Sequence, residues 1–90
     1  MPKFVIERTV PGIADWTETQ LREASLKSLS ALADLGPDIQ WIHSFVTDDK
    51  MYCVYIAEDE AAVREHAERG GFPVDVVSRV STVIDPATGE

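Results

Sequence analysis

Ninety residues make one domain, and so short a chain buries only about 60–65% of the surface its unfolded form exposes, a marginal position that dimerisation often relieves. Sixteen acidic against eight basic residues leave a formal net charge of −8, which repels phosphate backbones, argues against nucleic acid as a partner and attracts divalent cations, although the same charge also serves simple solubility. The longest apolar runs are strand-sized, which excludes a membrane helix; one cysteine, Cys53, and no signal-peptide pattern lead to the expectation of a cytoplasmic chain.

Phe4 to Val10 is rich in β-formers and stops at the turn pair Pro11-Gly12, which predicts a first strand. Thr17 and Gln20 have the spacing of a capping box, with Trp16 and Leu21 at the flanking staple positions. Leu21, Ala24, Ser28, Leu32 and Leu35 then recur at helical spacing, and Gly36-Pro37 closes the segment, so a helix is predicted over 17–35. Residues 39–47 and 50–57 read as two strands joined at Asp48-Asp49. A tight turn there sets Phe45 opposite Tyr52 and His43 opposite Val54. Trp41, His43, Phe45, Tyr52, Val54 and Ile56 then share one face, and Ile42, Ser44, Val46, Met51, Cys53 and Tyr55 the other. Both faces are largely apolar, so the side away from the helices needs a cover, and a second copy of the chain is the simplest one.

A second helix begins near Asp59-Glu60 and ends at Gly70-Gly71, with Val63, His66, Ala67 and Gly70 as its inner stripe. The last strand is predicted at about 78–84. This order is the split β-α-β pattern of the ferredoxin-like fold: an α+β, β-α-β-β-α-β antiparallel sheet with helices on one face, dimerising through the sheet. Residues 3–86 form the single domain, and 87–90 are expected to be a frayed tail.

No catalytic motif is present: there is no glycine-rich phosphate loop, G-x-S-x-G, H-E-x-x-H or C-x-x-C. Both histidines, His43 and His66, lie on packed elements, where an imidazole needs either a metal or a hydrogen-bond partner. Cys53, mid-strand among apolar neighbours, reads as an inert core thiol on the face away from His43. Asp48, Asp49, Glu58, Asp59 and Glu60 gather acids at one end of the domain, which a solvated turn and a helix start equally explain. Tyr52 and Tyr55 read as strand packing.

The block GPDIQWIHSFVTDDKMYCVY from Gly36 to Tyr55, followed by EHAERGGFP from Glu65 to Pro73, resembles a bacterial family of small ferredoxin-like proteins, formerly a domain of unknown function, with a nickel-binding streptomycete member. The resemblance runs over about residues 3–86 and implies a homodimer that binds nickel or a similar divalent metal without catalysing a reaction. Within the matching blocks the expected ligands are His43 and His66 with Asp48, Asp49 and Glu65 in support, imidazole being a good donor to nickel. Two other readings stand beside this one. The first is an enzyme with a pocket lined by Trp41, His43, Phe45 and Tyr52 and with His43 as general base; the second is a structural or stress-associated dimer that binds no ligand.

Overall fold

The computed structural model describes all of residues 1–90. Six main elements follow in chain order: β1 (Lys3–Thr9), α1 (Glu18–Leu35), β2 (Ile39–Val46), β3 (Lys50–Ala57), α2 (Glu60–Gly70) and β4 (Val76–Arg79). The strands form one antiparallel sheet in the order β2-β3-β1-β4, the ferredoxin-like arrangement. Both helices pack on the same side of it.

Local chemistry sets the element ends. Thr17 Oγ1 accepts from the Gln20 amide at 3.2 Å while Gln20 Oε1 accepts from the Thr17 amide at 2.8 Å, so the capping box forms and opens α1. Asp59 caps α2 with a single bond, accepting from the Ala62 amide at 2.9 Å. At the far end of α2, Gly71 takes a left-handed conformation (φ 69°), its N–H returns to the Ala67 and Glu68 carbonyls, and the Phe72 N–H bonds Ala67 O at 2.8 Å. That reversal lays the Phe72 ring against the helix end, where a Cβ on Gly70 would overlap it.

Alternation along β1 sends Phe4, Ile6 and Arg8 to the helix-covered side, where all three are buried. Phe4 and Ile6 meet Ile39, Cys53, Tyr55 and Ala57 from the neighbouring strands and Val63 from α2. The predicted inner stripe of α2 holds in full: Val63, His66, Ala67 and Gly70 are its buried residues. β4 is shorter than predicted and earlier in the chain. It pairs with Phe4–Glu7 of β1, and because β1 begins at Lys3, whose carbonyl accepts from the Val80 amide at 2.8 Å, residues beyond 80 have no strand to join.

The hairpin register agrees with expectation from Val46 to His43 and then departs from it. Phe45 faces Tyr52 and His43 faces Val54, but Trp41 faces Tyr55, so Ile42 is an extra, unpaired residue in β2. Such a bulge shifts the alternation by one. Trp41 therefore leaves the face of His43 and Phe45 and joins Ser44, Cys53 and Tyr55 on the helix side, where its indole N–H donates to Ser44 Oγ at 3.0 Å. The other side of the sheet has no cover. It carries His43, Phe45 (59% exposed), Tyr52, Val54, Val5 and Val76, together with the ion pair of Glu7 and Lys50 at 2.7 Å.

Candidate functional site

A cavity of about 500 Å³ lies on the helix side, walled by α1, by the sheet and by the Gly71–Pro73 turn. Trp16, Leu21, Trp41, Met51 and Phe72 supply much of its apolar surface. Nineteen residues line it; Arg8 and Lys27 are among them, and none is an aspartate or glutamate. The bulge at Ile42 is what delivers Trp41 to this wall.

Arg8 is the unusual member. It is 2% exposed, its Nη1 donates to the Pro73 carbonyl at 2.6 Å, and its Nη2 is buried without a partner. The guanidinium carbon lies 5.5 Å from the centre of the Phe72 ring, and Lys27 Nζ lies at the same distance from that ring. The ion pairs of the chain are Lys50–Glu7, Arg64–Glu60 and Arg69–Glu65, so Arg8 has no anionic partner.

Next to the cavity is a buried polar group of three. His66 is fully buried, and its Nε2 lies 3.2 Å from Ser28 Oγ and 3.1 Å from Tyr55 Oη. Its Nδ1 has no partner. Burial first, and the Arg8 charge second, pull the His66 pKa down to about 4, so the ring is neutral near pH 7. With the proton on Nε2 the ring donates to one hydroxyl and leaves Nδ1 as a bare lone pair, which costs less than an orphaned N–H. Burial also raises the Tyr55 phenol, with the nearby Cys53 adding to the effect.

The residues expected to bind metal do not converge within one chain. His43 is exposed on the uncovered face, edge-on to Phe45 at 4.9 Å between ring centres. His66 lies behind the sheet, beside Tyr55. The two imidazoles are on opposite sides because His43 pairs with Val54, whose neighbours Cys53 and Tyr55 turn into the core. Asp48 and Asp49 are exposed at the hairpin tip, where their backbone carbonyls accept from Ala14 at 3.4 Å and Val10 at 2.8 Å. Glu65 is exposed on α2 and paired with Arg69 at 3.0 Å. No group of three or more His, Cys, Asp or Glu side chains in the chain is placed to hold an ion. The expected pocket needs a similar correction: of Trp41, His43, Phe45 and Tyr52, only Trp41 lines the cavity, since the other three face the opposite side of the sheet.

Residues 4–80 match the model of the family described as nickel responsive protein SCO4226-like. This chain belongs to that family. The crystal structure of SCO4226 from Streptomyces coelicolor A3(2) is similar to it, with 21% sequence identity, a TM-score of 0.77, and coverage of 91% of this chain and 99% of that one. At that identity the likeness speaks for a common fold. No curated protein matches the chain.

The family name connects SCO4226-like proteins with nickel, and the donor chemistry of this member can be weighed against it. A nickel site built on imidazole needs further donors around the ring. One copy of this SCO4226-like chain does not assemble them: His66 is enclosed with Nε2 engaged, and His43 belongs to no group of three or more side chains able to hold an ion. No helix of the chain is long and apolar enough to cross a membrane.

Proposed function

We propose that this SCO4226-like protein is a cytoplasmic, non-catalytic homodimer that responds to nickel by binding the ion at His43, between two copies packed through their uncovered sheet faces. The observation that carries the proposal is the position of His43: the one imidazole open to solvent stands on the one apolar face that nothing covers. The family's nickel responsiveness supports the choice of metal, and imidazole nitrogen with carboxylate oxygen suits nickel(II). Glu7 lies on the same face and supplies a carboxylate. The net charge of −8 favours a cation near the protein. His66, Asp48, Asp49 and Glu65 have no place in this narrower site.

Calorimetric titration with nickel, run beside sedimentation analysis, tests it. The expected stoichiometry is one ion per pair of chains. His43→Ala is expected to lower the affinity by at least about tenfold, as loss of a ligand should. Phe45→Asp, which puts a charge at the centre of the proposed contact, is expected to give monomers and to lose the nickel heat as well. Unchanged nickel affinity in His43→Ala, or tight binding by a monomer, overturns the proposal.

A further inference from the structure

We infer that the cavity between α1 and the sheet is a binding site for a small aromatic carboxylate, with Arg8 as the anchor of its acid group. Three independent features of the cavity lead there. The first is charge: in a chain with sixteen acidic residues, the nineteen that line this space include Arg8 and Lys27 and no acid. The second is the state of Arg8, a permanent cation that is almost wholly buried, bonded to one carbonyl and left with a buried Nη2 that has nothing to donate to. Buried charge without a counter-charge is costly, and an apolar side chain of similar volume serves a core at least as well. An anion held in the cavity against Arg8, which lines it, supplies the missing counter-charge, and a carboxylate matches the planar guanidinium in shape and charge.

The third feature is the shape of the remaining chemistry. Several polar side chains on the wall are already occupied: Ser25 Oγ donates to Leu21 O at 2.9 Å, Ser44 Oγ accepts from Trp41, and Ser28 and Tyr55 are tied to His66. The surface left for the body of a ligand is apolar and largely aromatic, formed by Trp16, Trp41, Phe72 and Met51. Aromatic rings stack well on such a wall, and Lys27, exposed near the Phe72 ring, adds attraction for an anion approaching from solvent. A volume of about 500 Å³ is within the range of small-molecule sites. The nickel proposal concerns the opposite side of the sheet, so each stands or falls without the other.

The chain supplies its own reporter, because both of its tryptophans, Trp16 and Trp41, line the cavity. Phenylbutyrate and naphthylacetate, each beside its neutral amide, are titrated against the whole chain while tryptophan emission and calorimetric heat are followed. Both acids are expected to saturate the emission change and to bind about tenfold or more tightly than the amides, the increment of a charge-assisted pair. Arg8→Met is expected to erase the acid preference while the amides bind as before. Ala24→Phe, which fills the space from α1, is expected to block acids and amides alike. Equal affinity of acid and amide for the unmodified protein overturns the inference, as does failure of both acids to bind. If Arg8→Met does not fold, the acid–amide comparison and Ala24→Phe still decide the matter; if it folds and keeps the preference, the anchor is wrong.

Discussion

Lowering the pH from 7 to about 4 is expected to remove roughly 3 kcal/mol of folding stability through His66 alone. The folded ring has a pKa of about 4 against the ordinary 6.5, so between those values the unfolded chain binds the proton that the folded chain refuses. The contribution is complete above pH 6.5 and is lost as the pH falls toward 4, with a limiting slope of about 1.4 kcal/mol per pH unit. The cause is local: protonation puts a charge on a fully buried ring, with two hydroxyls already committed to Nε2 and Arg8 nearby. Urea unfolding measured in steps across this range checks the effect. Ordinary carboxylates titrate near the lower end of the window, so the upper end, above about pH 5, is the diagnostic part. His66→Gln is expected to flatten the curve there, and an unmodified protein with constant stability between pH 6.5 and 5 would contradict the assignment.

The second large effect is expected at Ile6. Its side chain is fully buried at the middle of β1, opposite Cys53 of β3 and Val77 of β4, so truncation leaves a void that strands on both sides have to bridge. Ile6→Ala is expected to cost about 2–5 kcal/mol, and Ile6→Val about 0.5–1.5 kcal/mol. A domain of this size has a total stability of roughly 5–13 kcal/mol, so the larger truncation takes a substantial share of it. Denaturant midpoints with an unchanged slope measure the loss. A shift below about 1 kcal/mol for Ile6→Ala would mean that the sheet closes over the gap.

Much of the fold was legible because its signals are local. The Thr17–Gln20 box, the Gly36-Pro37 stop, the inner stripe of α2 and the tight turn at Asp48-Asp49 are written in residues a few positions apart, and the structure keeps each of them. The face of Trp41 was not legible, since a bulge at Ile42 has no glycine or proline to announce it and depends on how β2 lies against β3. Arg8 was missed for a related reason. Alternation from Phe4 and Ile6 already aims it at the core, yet a charge near a strand end reads as solvated. Its burial comes from Phe72 and Pro73, which arrive from the other end of the chain. One-dimensional spacing does not tell which side of a sheet an imidazole takes: His43 lies on the uncovered face, and His66 lies within the core, hydrogen-bonded to Ser28 and Tyr55.

The two glycines that finish α2 are adjacent and not equivalent. At position 71 the restriction is a backbone torsion, which asparagine also tolerates, and the neighbouring Lys27 side chain is free to swing aside. At position 70 the restriction is occupied space: the ring two residues on already fills the volume of a methyl group, and every other amino acid would have to dislodge it from Arg8 and His66. A library of variants under selection for folding would therefore accept occasional asparagine at the second site and almost nothing at the first, so that two identical letters would drift at different rates.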